Sequence, residues 1–206
     1  MNLLLLFFRF VDFVRRRRMK IKSYLTKKKI ILYLENHNVR FSKDNFQIDP
    51  STILNFRGGY VQIGKCFICR SFPYSIGNHT CSRIEVVNGI LSIGNYSGFS
   101  NIVIQCYNNI KIGNYVNIGE GCMIMDSDFH STNWRDRQDR SLDFHKAKSS
   151  PIVIDDYVFV GARSIILKGV HIGKHSIIAA GSVVNRDIPA DCIAGGNPCK
   201  VIKLLD

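Results

Sequence analysis

The chain lacks an apolar run long enough to cross a membrane as a helix. Its most apolar stretch, residues 3–14, has 12 residues and contains Arg9 and Asp12, whereas a spanning helix needs about 20 apolar residues. A secretory signal is not expected either, because the basic residues follow this stretch instead of preceding it. These absences predict a cytoplasmic protein.

Acidic residues are also few, and the resulting positive charge is concentrated at one end. Asp and Glu number 16 against 28 Lys and Arg, and residues 1–29 alone carry +9 of the net +12. Because a nucleic-acid binder usually carries its basic patch on the folded surface, we expect no nucleic-acid partner. The apolar and basic segment 1–29 favours a helix lying on an anionic membrane. The alternative is a helix packed on the body or against a sister subunit.

The sequence lacks the dense cysteine framework of a small secreted protein and any complete set of metal ligands. Its seven cysteines are an odd number in scattered contexts, which predicts reduced thiols. Cys66 and Cys69 have the spacing of half a zinc site, but no second pair completes four ligands. The histidines do not cluster as in a zinc-binding trimeric β-helix, so we predict no metal.

A six-residue repeat dominates the second half of the chain. From residue 154 every sixth position is Ile or Val, and Gly or Ala follows this aliphatic in three of six hexads. A period of six fits neither a helix nor simple strand alternation, and it predicts one short strand and one tight corner per hexad. The leading positions are Ile154, Val160, Ile166, Ile172, Ile178 and Val184.

The same phase continues upstream with single-residue slips, as in Ile112-Gly113 and Ile93-Gly94. Three hexads would close one triangular coil, and stacked coils would pair as parallel strands about 4.8 Å apart. We therefore predict an all-β fold, a parallel β-helix over roughly residues 45–190 within a domain spanning 30–190. Residues 20–45 and 191–206 would cap its two ends, which otherwise expose unpaired backbone.

The repeat is interrupted once. After Ile124 the hexad positions would be His130, Asp136, Leu142 and Lys148 before the phase resumes at Ile154, and three of these four cannot fill an aliphatic interior. The chain must leave the β-helix here in an extended loop, residues 130–150. Such long loops in compact domains are usually functional.

The hexads, together with Ala194-Gly195-Gly196-Asn197-Pro198-Cys199-Lys200-Val201-Ile202-Lys203, resemble the hexapeptide-repeat acyltransferases. Within that superfamily the chain is similar to maltose and galactoside O-acetyltransferases and to enzymes that acetylate polysaccharides. The resemblance implies a left-handed β-helix, acetyl-CoA as co-substrate and a homotrimer with sites between subunits. It also implies a carbohydrate or lipid-linked glycan as acceptor.

The same resemblance makes His130 the expected catalytic residue, because the family's histidine opens the extended loop at this place. An imidazole, whose ordinary pKa is near 6.5, is a suitable base for removing a proton from a hydroxyl at neutral pH. A carboxylate would orient the ring, and Asp126 and Asp128 are the nearest candidates in the sequence.

Further positions match the family's donor and acceptor sites. For coenzyme A, the resemblance implies contacts from small residues one coil apart, an aromatic residue, and polar or basic residues near the carboxy terminus; these are Phe159, Gly161, Ala162, Ala180, Asn185, Arg186, Lys200 and Lys203. For the acceptor, the candidates are Asn101, Trp134 and His145, with Asn101 two residues out of the family's register.

The sequence thus predicts an acetyl-CoA-dependent O-acetyltransferase acting on a sugar hydroxyl, such as that of a surface polysaccharide or its precursor. Two alternatives remain open at this point. One is N-acetylation of an amino-sugar nucleotide, which also uses a histidine base. The other, from a different class, is a catalytically inactive β-helix that serves as a scaffold.

Overall fold

A computed structural model describes residues 27–71 and 81–206 of the chain. Short strands form three sheets, and every pairing between successive coils is parallel. Sheet A consists of β1 (Arg40–Phe41), β4 (Tyr60–Ile63), β7 (Ile90–Ile93), β10 (Asn109–Ile112), β13 (Ile152–Ile154) and β16 (His171–Ile172). Sheet B consists of β2 (Gln47–Ile48), β5 (Ile68–Arg70), β8 (Gly98–Ser100), β11 (Asn117–Ile118), β14 (Phe159–Val160), β17 (Ile177–Ile178), β19 (Cys192–Gly195) and β20 (Lys200–Leu204). Sheet C consists of β3 (Ile53–Phe56), β6 (Arg83–Val86), β9 (Val103–Cys106), β12 (Met123–Met125), β15 (Ile165–Leu167) and β18 (Val183–Val184).

The chain passes through sheets A, B and C in turn, so each coil is a triangle with three corners, which we name A–B, B–C and C–A. The predicted all-β, left-handed parallel β-helix is confirmed. The leading residue of every hexad points into the triangle, and Ile154, Val160, Ile166 and Ile172 are completely buried. The period of six arises because each side holds one inward aliphatic before the chain turns a corner.

Both ends of the stack are covered within the described residues. Residues 27–36 form helix α1, in which Leu34 is fully buried against the first coil. The hydroxyl of Tyr33 accepts a hydrogen bond from the backbone N–H of Phe56 at 3.1 Å. At the other end β20 pairs antiparallel with β19, so the last parallel strand is not left as an open edge.

A long excursion leaves the coils between β12 and β13, as the interrupted repeat predicts. It contains a 3₁₀ turn at Asp136–Gln138 and helix α2 at Arg140–Lys146. Helix α2 begins where it does because the Asp139 carboxylate accepts hydrogen bonds from the N–H groups of Ser141 and Leu142. The excursion departs from the C–A corner and returns there.

Aromatic rings stack on one another along the A–B corner. The column runs from coil to coil through Tyr96, Tyr115, Tyr157 and His175, with ring centroids 4.8, 5.0 and 5.5 Å apart. All four residues have a positive φ near 60°, which is unusual for bulky side chains. The His175 ring also lies 2.7 Å from a carboxylate oxygen of Asp191.

No helix in residues 27–71 and 81–206 is long and apolar enough to cross a membrane. The prediction of membrane contact by residues 1–29 falls almost entirely outside the described residues.

Candidate functional site

The base of the excursion is fixed by two carboxylates that the sequence had suggested as partners of His130. Asp126 is completely buried, and its two oxygens accept the N–H groups of Tyr107 and Asn108 at 2.7 and 2.8 Å. Asp128 forms an ion pair with Lys168 at 3.0 Å. Both carboxylates are thus engaged at the C–A corner, and the structure places a different carboxylate beside His130.

Asp143 is the carboxylate that meets His130. One of its oxygens lies 2.6 Å from His130 Nδ1, and the other accepts the backbone N–H of Ser131 at 2.7 Å. Asp143 stands in the first turn of α2, whose start is set by the Asp139 cap. The excursion thus folds back on itself, and both oxygens of a single carboxylate hold the histidine segment.

The electrostatics of this pair favour an ionised carboxylate. The hydrogen bond with His130 holds the pKa of Asp143 below its ordinary value, and the Ser131 N–H acts in the same direction. A carboxylate at Nδ1 keeps the proton on that nitrogen and leaves Nε2 with its lone pair. Because the His130 side chain is 70% exposed, Nε2 is accessible as a proton acceptor.

Two other exposed histidines also pair with carboxylates, so the pairing alone does not identify a site. His171 Nε2 lies 2.8 Å from Asp155, and His175 Nδ1 lies 2.7 Å from Asp191. These pairs join successive coils on the surface of the β-helix. His130 and Asp143 differ because both belong to the excursion, and their chain neighbours Phe129 and Phe144 line a cleft between α2 and the C–A corner.

This cleft has a volume of about 190 Å³. Phe129 and Phe144, the chain neighbours of His130 and Asp143, lie on its walls with Tyr107. The Tyr107 ring lies 5.5 Å from Phe129 and 6.3 Å from Phe144, in each case edge to face. Sequence reasoning missed all three aromatic residues and Asp143, although the Asp139 cap could have predicted a helix within the excursion.

The three predicted acceptor residues lie elsewhere. Asn101 is only 1% exposed and donates to a carboxylate oxygen of Glu120 at 3.3 Å, so its side chain is not presented to an acceptor in this chain. Trp134 is 56% exposed, with the guanidinium of Arg135 4.6 Å above its ring. His145 is exposed in the last turn of α2, 6.0 Å from the Phe144 ring.

Part of the predicted donor site lies together on sheet B. The register of the strands places Phe159, Ile177, Ile193 and Lys203 in one row across β14, β17, β19 and β20. Phe159 also lines a shallow groove of about 300 Å³ with Arg70 and Ser100. Lys200 is exposed on the same last strand, opposite Gly195.

The predicted small residues lie beside this row, at the B–C corner. Ala162 and Ala180 occupy equivalent places in successive coils. The backbone N–H of Gly181, the residue after Ala180, donates a hydrogen bond to the carbonyl oxygen of Ala162 at 2.8 Å. Gly161 is buried, and a Cβ at this position would lie 2.5 Å from the backbone nitrogen of Ala180. Its lack of a side chain lets the coils stack this closely.

Asn185 and Arg186 follow β18 and are exposed at the C–A corner. Sheet C therefore separates them from Ala162 and Ala180. The two groups lie at opposite ends of the sheet C side of the coil, where β15 has three residues and β18 has two. They share their corner with the excursion that carries His130.

Burial keeps three interior thiols in the protonated form. Burial raises the pKa of Cys69 and Cys122 to about 11 and that of Cys106 to about 12, so these side chains stay protonated at neutral pH. Among residues 27–71 and 81–206, no group of three or more His, Cys, Asp or Glu side chains is arranged to hold a metal ion.

Comparison with known proteins identifies the repeat. The family model for the bacterial transferase hexapeptide (six repeats) matches residues 151–186. A 2,3,4,5-tetrahydropyridine-2,6-dicarboxylate N-acetyltransferase of Staphylococcus aureus (strain Newman) is 51% identical over 55 residues, which are 27% of this chain and 23% of that protein. The match thus spans about a quarter of the length of this curated relative.

Solved structures match over more of the chain. A hexapeptide-repeat containing acetyltransferase from Vibrio cholerae is 30% identical, with a TM-score of 0.51, over 75% of this chain and 74% of that one. A maltose O-acetyltransferase from Clostridium difficile 630 shares the fold at 22% identity and a TM-score of 0.52, over 93% and 86% of the two chains. With its stacked hexads and a likeness of this extent, the chain belongs to the hexapeptide-repeat acetyltransferase family.

Proposed function

We propose that this protein transfers an acetyl group from acetyl-CoA to a hydroxyl of a sugar, with His130 as the general base and Asp143 as its positioning residue. The observation that carries the proposal is the His130–Asp143 hydrogen bond of 2.6 Å on the excursion. An ionised Asp143 at Nδ1 favours the ring tautomer in which Nε2 can accept a proton. Phe129, the chain neighbour of His130, lines a cleft of suitable size for a small acceptor.

The chemistry needs one base and no covalent enzyme intermediate. Nε2 of His130 takes the proton of the acceptor hydroxyl while that oxygen bonds to the thioester carbonyl carbon. The carbon–sulfur bond then breaks, and the same nitrogen returns the proton to the departing thiolate. The ionised Asp143 stabilises the imidazolium between these two transfers.

The donor would lie along sheet B and the B–C corner. Phe159 and the small residues Ala162 and Ala180 offer an apolar surface for the pantetheine arm. Lys200 and Lys203 on β20 offer cations for phosphate groups. The related Vibrio cholerae acetyltransferase, 28% identical to this chain in that comparison, has been solved in complex with acetyl-CoA.

The proposed site requires a second copy of the chain, since His130 and Ala162 lie at corners separated by sheet C. We propose a homotrimer in which the excursion of one subunit faces the B–C corner of the next. The outer face of sheet C over β12, β15 and β18 supports this arrangement because it is apolar and partly buried; it carries Met123, Met125, Ile165, Leu167 and Val183.

The proposal is tested by incubating the full chain with labelled acetyl-CoA and a panel of glycans and amino-sugar nucleotides. We expect label in a product that mild alkali releases, as for an ester. An alkali-stable product would indicate an amide and would replace the proposal with N-acetylation. Failure to bind coenzyme A would favour the inactive scaffold.

Sharing of the site between subunits is tested by mixing two inactive forms. Subunits with His130→Ala are combined with subunits carrying Ala180→Glu and Lys200→Ala, and mixed trimers are purified with two affinity tags. Activity should reappear, because some clefts then combine two intact halves. Verified mixed trimers without activity would contradict a shared site.

A further inference from the structure

The cleft between α2 and the C–A corner has the chemical character of a sugar-binding pocket. Its aromatic walls are Tyr107, Phe129 and Phe144, and the polar side chains on its lining belong to Asn88, Ser127 and Ser149. Aromatic faces attract the C–H groups of a pyranose ring, whereas amide and hydroxyl groups match its rim of hydroxyls. None of the described residues on its lining carries a charged side chain.

The size of the cleft limits the ligand. Pockets for drug-sized molecules have volumes of about 300 to 1,000 Å³, and this cleft has about 190 Å³. A single sugar ring is the appropriate scale, whereas a sugar nucleotide would extend beyond the lining.

The position of the cleft connects it to the proposed base. Phe129 immediately precedes His130, and Phe144 immediately follows Asp143. The loop that orients the imidazole therefore also builds two of the three aromatic walls. The backbone N–H of Phe129 donates a hydrogen bond to the hydroxyl of Ser127 at 3.1 Å, and Phe129 has a φ of 63°. The turn at the C–A corner therefore positions the Phe129 ring on the cleft.

We propose that this cleft binds one uncharged pyranose ring of the acceptor and selects it against acidic sugars. The inference rests on the proposed function, in which this cleft serves as the acceptor side of the site. A carboxylate or phosphate on the ring would lose hydration in the cleft with no cationic side chain among the described lining residues to pair with it, which is costly. Neutral hexoses, which lose no charge hydration, are therefore the preferred class.

Direct binding tests the inference without relying on activity. The full chain is titrated, without acetyl-CoA, with methyl glycosides of glucose, galactose and mannose and with the corresponding uronic acids, and binding is followed by saturation-transfer NMR. At least one neutral glycoside should bind about tenfold or more tightly than its uronic acid counterpart. Equal or tighter binding of the uronic acids would overturn the inference.

Variants locate the binding. Phe144 is 56% exposed on α2, so Phe144→Ala should not disturb the core, and we expect at least about tenfold weaker binding of the neutral glycoside. Phe144→Tyr keeps an aromatic face and should retain binding. The matched control is Tyr60→Ala, which removes a 42% exposed aromatic side chain from sheet A. If the Phe144→Ala and Tyr60→Ala proteins bind the neutral glycoside with the same affinity, the sugar does not occupy this cleft.

Kinetics separate this inference from the proposed function. With an acceptor that the glycan panel identifies, Phe144→Ala should raise KM for the acceptor and leave kcat within about twofold. Acetyl transfer with an unchanged KM would contradict the sugar pocket and leave the transferase intact. Glycoside binding that depends on Phe144 in a protein without acetyl transfer would contradict the transferase and leave the pocket intact.

Discussion

His130 Nδ1 lies 2.6 Å from a carboxylate oxygen of Asp143, although 13 positions separate the two residues in the sequence. The second oxygen of Asp143 binds the backbone beside the histidine, so ring and main chain are held by one side chain. Removing either partner should therefore produce distinct effects on the chemistry and on the loop.

Replacement of the base should abolish most of the activity. We expect His130→Ala to lower kcat by about 10²- to 10⁴-fold, which is the usual contribution of a general base, with coenzyme A affinity unchanged in calorimetry. His171→Ala is the matched control because it removes another exposed, carboxylate-paired histidine. A loss below tenfold in a folded His130→Ala protein would remove this residue from the mechanism.

Replacement of the positioning residue should slow the chemical step without weakening acceptor binding. Asn is the same size as Asp but cannot supply the charge that stabilises the imidazolium, so Asp143→Asn should lower kcat by at least about tenfold. The acceptor KM should change little. Asp155→Asn alters the equivalent pair at His171 and serves as the control. Equal kcat values in the two variants would assign Asp143 a structural role only.

The lowered pKa of Asp143 predicts a pH dependence of stability. A carboxyl group whose pKa is lower in the folded than in the unfolded protein stabilises the fold above its ordinary pKa, 3.8, and loses this contribution as the pH falls through the lowered value. Wild type should therefore resist urea better than Asp143→Asn at pH 7, and this advantage should be smaller at pH 2. A constant difference at both pH values would contradict the linkage.

The two carboxylates at the base of the excursion should differ in their effect on stability. Asp126→Ala leaves the N–H groups of Tyr107 and Asn108 without their acceptor, which should cost about 1–3 kcal/mol. Asp128→Ala breaks a half-exposed ion pair with Lys168 and should cost below about 1 kcal/mol. Urea unfolding measures both, and a larger loss for Asp128→Ala would contradict the assignment.

The lysines of β20 should recognise phosphate. Lys200→Ala and Lys203→Ala should each weaken coenzyme A more than dephospho-coenzyme A, because charge-assisted hydrogen bonds to the additional phosphate are lost. Calorimetric titration of both ligands gives the comparison. Lys174→Ala, at an exposed position in the turn before β17, is the control. Equal losses for the two ligands would mean that the lysines contact another part of the donor.

The β-helix could be predicted because the residues that specify each side of a coil are close together in the sequence and recur every six positions. Each buried aliphatic recurs at a fixed spacing from Ile154 onward, and the loss of that spacing after Ile124 located the excursion. The partner of His130 could not be predicted in the same way. Asp143 reaches it only because α2 turns the chain back, and a tertiary contact of this kind has no periodic signal.

The candidate site was less predictable than the fold for a second reason. Similar side chains have different partners depending on where the turn places them. Asp126 and Asp128 are closer to His130 in the sequence, but Asp126 accepts backbone N–H groups and Asp128 pairs with Lys168. The aromatic column did have an unused sequence signal. Tyr96, Tyr115 and Tyr157 each stand three residues after an Ile that enters the core.

The aromatic column has a consequence for where this fold can change length. Tyr115 and Tyr157 stack although 42 positions separate them, whereas Tyr96 and Tyr115 stack across only 19. The additional residues all lie in the excursion at the C–A corner. A residue inserted at the A–B corner would instead displace one ring from the stack and disturb the pairing of that coil with its neighbours. Natural length variation and engineered loop grafts should therefore be tolerated at the C–A corner and rejected along the tyrosines.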